Sequence, residues 1–143
     1  MARYEGEDVV IDASVAVKWF TEEAGTPAAL ELRDSHIAGG INLVAPDLLF
    51  YEVFNALRYK EGAEEEILKG QVWDMVDLQM DIVAPSQHLM EKTVDNSLKF
   101  GLSIYDSVYF SLAELSGSEL ITADEKFYNV VKDNEKVRAV LLK

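Results

Sequence analysis

Short, wholly apolar runs recur along this chain and alternate with longer segments of helical spacing, and this rhythm constrains the fold more than any other feature. Asp8-Val9-Val10-Ile11-Asp12 is the first such run. An uninterrupted apolar run of this length fits a strand covered on both faces, as in a parallel sheet; a strand with one wet face would alternate. Asn42–Ala45, Asp81–Pro85, Glu119–Thr122 and Val137–Leu142 read as four more strands. Helical spacing is expected over Ser14–Phe20, over Pro27 to about Ile37 before Gly39-Gly40, and over about Ala63–Leu78. It is also expected over Gln87–Phe100 before Gly101, over Ile104–Leu115, and from Asp124 to about Lys132. Pro46 is expected at the first position of a further helix reaching nearly to Gly62, since proline is tolerated there. Strand and helix in alternation predict an α/β domain with a largely parallel sheet. The chain has 143 residues, 49% of them hydrophobic, with no internal repeat and no linker. That is one domain, residues 1–143, with enough apolar side chains for a real core.

In open parallel sheets, ligands bind beyond the carboxyl ends of the strands. Asp12 closes the first strand and Asp124 stands just past the fourth. The chain holds 26 acidic residues, so each candidate is weighed against a structural role. Asp12 and Asp124 each suit the N-cap of the helix that follows. Ser103 and Asp106 have the spacing of a capping box, with Asp106 sharing a face with Phe110 and Ala113. Glu52 is different: it lies beyond the first turn of its helix, among Leu48, Leu49, Ala56 and Tyr59, where no cap accounts for it. An exposed helix edge is its structural alternative. If these four acids converge, their charges repel, and a divalent cation is the simplest relief. An all-oxygen donor set suits a hard cation such as Mg²⁺ or Mn²⁺, which can activate water and stabilise phosphodiester displacement.

Composition narrows the chemistry. There are no cysteines, which excludes disulfides, thiolate catalysis and cysteine-ligated zinc. His36 and His88 are too few for a histidine-rich centre and read as surface or helix-end residues. The acidic start, Met1 to Asp8, does not read as a signal peptide, and no run approaches the length of a membrane span. A cytoplasmic protein with no membrane partner is the expectation. The net charge of −13 excludes a broad basic footprint for nucleic acid. Asp47 sits in the first turn beside Pro46, where the helix dipole accounts for it. Trp19, Trp73, Tyr59, Tyr105 and Tyr109 suit base stacking, but core or dimer packing is the expectation for most of them. Lys18, Arg58, Lys60 and Lys126 lie near the acids in sequence and are candidate phosphate contacts.

Four segments, in order and at matching spacing, carry a family likeness. They are Val9-Val10-Ile11-Asp12-Ala13-Ser14, then Ala45-Pro46-Asp47-Leu48 through Glu52, Asn55, Ala56 and Leu57. The third is Ser103-Ile104-Tyr105-Asp106-Ser107 with Tyr109, Leu112 and Ala113, and the fourth is Leu120 through Asp124 to Phe127. In these the chain resembles the PIN-domain ribonucleases, and among them the VapC-type toxins of toxin–antitoxin pairs. The resemblance implies a three-layer α/β/α sandwich with a five-stranded parallel sheet. It implies Mg²⁺- or Mn²⁺-dependent cleavage of RNA, homodimerisation, and inhibition by a small VapB-like antitoxin. It carries Asp12, Glu52 and Asp106 over as core metal ligands and Asp124 as a fourth, more variable acid. Ser14 and Thr122 become candidates for orienting carboxylates.

Two other functional classes compete. One is a non-catalytic PIN scaffold that binds a protein. The other is phosphoryl transfer on an aspartate. Asp12-Ala13-Ser14-Val15 lacks the second acid that a haloacid-type phosphatase requires, and no lysine stands in a receiver-like place before Lys143.

Overall fold

The computed structural model describes residues 6–143. The expectation for the first eight residues therefore falls mostly outside the described residues. Five strands form one sheet: β1 (Asp8–Ile11), β2 (Asn42–Pro46), β3 (Asp81–Val83), β4 (Glu119–Thr122) and β5 (Ala139–Leu141). Every pairing is parallel and the order is β3-β2-β1-β4-β5. Helices α1 (Ala13–Ala16), α2 (Thr26–Ile37), α3 (Leu48–Arg58) and α4 (Glu65–Asp77) lie in the first half of the chain. α5 (Gln87–Phe100), α6 (Ile104–Ser116) and α7 (Glu125–Val131) follow. Val9, Val10 and Ile11 are all buried. Consecutive strand residues point to opposite faces, so helices cover the sheet on both sides, giving the expected α/β/α layers.

The order of strands sets the position of everything functional. The chain steps outward from β1 to β2 to β3, then returns through α5 and α6 to place β4 on the other side of β1. The crevice between β1 and β4 is therefore the topological switch point, where such sheets bind ligands. The register Ile11↔Ile121 sets Asp12 and Thr122 side by side as the next residues of the two strands.

α6 is buried continuously from Ser107 to Ala113, as its apolar sequence predicts. It packs against β1, β2, β4 and α5. Its buried polar atoms are paired, with Ser107 Oγ donating to the Thr93 carbonyl at 2.6 Å and Asn96 Nδ2 to Ser111 Oγ at 2.9 Å.

Several boundaries differ from the sequence reading. Pro46 does not open α3; it ends β2, opposite Val83 of β3. The β1 pairing of β2 stops at Val44, so β2 overshoots it and the missing proline N–H breaks no ladder bond. α3 begins at Leu48 and ends at Arg58, short of Gly62. The segment after Asp12 is one turn of α1 that tightens into a 3-10 turn at Val17–Trp19. β5 starts at Ala139 because the Asn134 side chain takes both the N–H and the carbonyl of Val137. His36 ends α2 but is not on the surface. It is buried, with Nδ1 accepting from the Leu43 N–H at 3.1 Å, and that leaves Nε2–H to donate to the Leu78 carbonyl at 2.8 Å. A helix end facing a sheet buries its side chain. His88 is exposed.

Candidate active site

Asp12 lies on the floor of the crevice and is buried. It does cap α1, its Oδ1 accepting from the Ser14 N–H at 3.1 Å. The cap is only part of its bonding. Ser14 Oγ donates to Oδ1 at 2.5 Å and Thr122 Oγ1 donates to Oδ2 at 2.5 Å. The two hydroxyls stand 3.2 Å apart and are held in turn by backbone. Ala123 N–H donates to Ser14 Oγ at 2.8 Å, and Asp124 N–H to Thr122 Oγ1 at 3.0 Å. Both oxygens of Asp12 are thus fixed by groups from β4 and α1.

The other three acids come from helices. Glu52 sits on the second turn of α3, half-buried, and its Oε1 accepts from the Tyr109 hydroxyl at 2.6 Å. Asp106 lies in the first turn of α6 and is half-buried. Ser103 caps that helix by accepting from the Asp106 N–H at 3.0 Å, so the capping reading of this pair is correct on the serine side. Asp124 is exposed and caps α7, accepting from the Phe127 N–H at 3.2 Å.

Electrostatics ties the four together. Burial pushes the Asp12 carboxyl up to about 6, against the lowering pull of Ser14 and Thr122, and the charges of Asp106 and Asp124 push it further. Asp106 is also raised, first by burial, then by Asp124 and Glu52, while Lys126 opposes. Burial pushes the Tyr109 phenol up strongly, helped by its bond to Glu52 and by the charges of Glu52, Asp12 and Asp106. Asp12 thus feels the charges of Asp106 and Asp124, and Asp106 those of Asp124 and Glu52, with Lys126 the opposing cation at Asp106. Of the four basic candidates, Lys18 pairs with Glu23 at 2.8 Å, Lys60 approaches Glu23 at 3.6 Å, and Arg58 lies over the Tyr59 ring.

No three acidic or histidine side chains among the described residues stand together at metal-holding spacing. Mutual repulsion and the separate anchors account for that: hydroxyls for Asp12, Tyr109 for Glu52, a helix N-terminus for Asp124. The chemistry of the set nonetheless suits a hard cation, because it offers only oxygens and carries uncompensated negative charge.

Tyr109 stands in the third family-like segment and is in the core, as expected for most of the aromatics; what the sequence does not show is its bond to Glu52, although it stands one turn after Asp106 on the same buried helix. Trp19 is in the core, donating from Nε1 to the Ala29 carbonyl at 2.9 Å. Tyr59, Trp73 and Tyr105 are exposed, not in the core.

The PIN domain family model matches residues 9–133. The fold is similar to a toxin–antitoxin complex from Klebsiella pneumoniae, with a TM-score of 0.69, 18% identity, and 94% of this chain and 98% of that chain covered. It is similar to VapC20 of Mycobacterium tuberculosis, a sarcin–ricin-loop-cleaving toxin, with a TM-score of 0.68, 14% identity, and 91% and 98% covered. It is similar to VapBC2 from Rickettsia felis, with a TM-score of 0.67, 12% identity, and 95% and 99% covered. At such identities these likenesses speak to fold. Over 69 residues the chain is 33% identical to subunit 33A of the Mediator of RNA polymerase II transcription from Arabidopsis thaliana, a match to 48% of this chain and 5% of that protein. With the family's model matched from β1 through α7, this chain belongs to the PIN domain family.

Proposed function

We propose that this protein is a metal-dependent endoribonuclease and the toxin of a VapBC-type toxin–antitoxin pair. The observation that carries the reading is Asp12: a carboxylate buried at the switch point of a PIN fold, held at both oxygens by hydroxyls, raised first by burial and then by Asp106 and Asp124, and paired with no basic side chain among the described residues. Asp12, Glu52 and Asp106 would hold Mg²⁺ or Mn²⁺, and Asp124, exposed and engaged with its own helix, would complete the site less directly. A bound divalent cation supplies an acidified water and charge stabilisation for phosphodiester hydrolysis. The chain's part is to hold the carboxylates: Ser14 and Thr122 orient Asp12, and the charge of Lys126 favours the ionised form of Asp106.

The net charge of −13 makes the metal necessary for substrate as well as for chemistry, since RNA approaches only when the acids are locally neutral. RNA cleavage is expected with Mg²⁺ or Mn²⁺ and not without, and is expected to vanish in Asp12→Asn and in Asp106→Asn. Cleavage that persists in both variants, or tight RNA binding without metal, overturns the reading.

Two protein partners belong to the same proposal: a small antitoxin and a second copy of the chain. Two apolar surfaces support them, one of Tyr51, Ile104 and Tyr105, the other of Val72, Trp73 and Val76 on α4. No helix among the described residues is long and apolar enough to cross a membrane, and a cytoplasmic location goes with RNA and an antitoxin as partners. A non-catalytic scaffold is favoured by the lack of a preassembled ligand set among the described residues. Metal titration separates the two: a scaffold gains no stability from Mn²⁺.

A further inference from the structure

Tyr109 is nearly inaccessible to solvent, and its hydroxyl donates to Glu52 Oε1 at 2.6 Å. Burying a phenol is costly unless its O–H finds a partner, and the partner here is a carboxylate, which makes the bond a strong one. The bond joins two helices that touch the site from different directions, α3 carrying Glu52 and α6 carrying Asp106. Glu52 has three rotatable side-chain bonds and no other side-chain hydrogen bond given by the structure. Asp12, by contrast, is held at both oxygens.

We infer that Tyr109 is a positioning residue for the metal centre: its hydroxyl fixes Glu52 through Oε1 and leaves Oε2 as the oxygen offered to the cation. This rests on the proposal that the acids bind a divalent metal. A phenol suits the task better than a cation would. It restrains the carboxylate without cancelling its charge, and a phenol is a donor at neutral pH. Thr122 and Ser14 do the same for Asp12, so these two carboxylates are steered by neutral hydroxyls and their charge is kept for the metal.

The test is Mn²⁺ binding by calorimetry to the wild type, Tyr109→Phe, Glu52→Gln and the double variant. Phenylalanine keeps the ring, so the metal-free melting temperature of Tyr109→Phe is read alongside to confirm the fold. The Mn²⁺ dissociation constant is expected to rise roughly ten- to a hundredfold in Tyr109→Phe. In the Glu52→Gln background the same substitution is expected to add little, because the hydroxyl acts through Glu52. An unchanged or tighter affinity in Tyr109→Phe, or a loss that persists in full without Glu52, overturns the inference. Should Tyr109→Phe not fold, the near-UV difference spectrum of the wild type decides. A buried tyrosine band that stays constant on Mn²⁺ addition supports a bond retained in the metal complex, and a band that shifts to that of a released phenol refutes it. A wild type that binds no Mn²⁺ sinks the metal proposal itself, a result distinct from wild-type binding that is indifferent to Tyr109.

Discussion

The two sides of the acid crevice are built on different principles. The floor, Asp12, ends a buried strand; both its oxygens are held by hydroxyls that are themselves held by backbone N–H groups. The rim, Asp106 and Asp124, stands at helix N-termini and reaches solvent. On the floor, burial is the dominant cost of ionisation, and the structure offsets it with fixed donors. On the rim, Asp106 is raised by burial and by neighbouring acids, and Asp124 is exposed, so neither carboxylate is held as Asp12 is. Such a site has one rigid reference point and several adjustable arms, which explains why the acids feel one another's charge without standing at ligand spacing.

Four measurements sharpen or break this contrast. The largest effect is expected on the floor: Asp12→Asn should lower RNA cleavage on the order of a thousandfold or more, a loss of about 4 kcal/mol of transition-state stabilisation. A loss no greater than that of a rim variant would abolish the distinction. Next comes metal linkage. Mn²⁺ at about 100 times its dissociation constant should add roughly 2.7 kcal/mol to the stability of the wild type. Calorimetry should find that gain absent in Asp12→Asn and mostly retained in Asp124→Asn.

The third measurement is pH dependence without metal. The folded value of Asp12, about 6, lies above its ordinary 3.8, so ionisation opposes folding. That cost is full above pH 6 and disappears as pH falls toward 3.8. Relative to Asp12→Asn, the metal-free wild type should therefore gain stability between pH 7 and pH 4, by up to about 3 kcal/mol. Denaturation at both pH values in chelator measures the difference, and a constant gap would mean Asp12 is already satisfied as a carboxylate. The smallest effect is expected at Asp124→Asn. Asparagine caps helices as well as aspartate does, so thermal melting should move by no more than about 0.5 kcal/mol.

Much of the fold was legible because each element obeys a local rule. Apolar runs became strands, and Gly101 ended α5 with a positive φ of 69°. The acids were legible by position, Asp12 and Asp124 at strand ends, Glu52 by its place inside a helix. Pro46 was misread because proline suits a helix start and a strand end equally well, and the choice rests on where the β1 pairing of β2 stops. His36 is at a helix end, as expected, but its burial was not legible because its environment comes from β2 and the end of α4, remote in sequence. The bond of Tyr109 escaped for the same reason: its partner lies 57 residues away.

The sequence alone determined the alternation of strand and helix and the family likeness, and it marked four acids as candidates, since these depend on residue type and short spacing. Only the tertiary structure decided which acid would be the floor. The strand order set β4 beside β1, and the register then brought Thr122 against Asp12 across 110 residues. A hydroxyl from another strand and a phenol from another helix are contacts between surfaces, and such contacts exist only once the layers have packed.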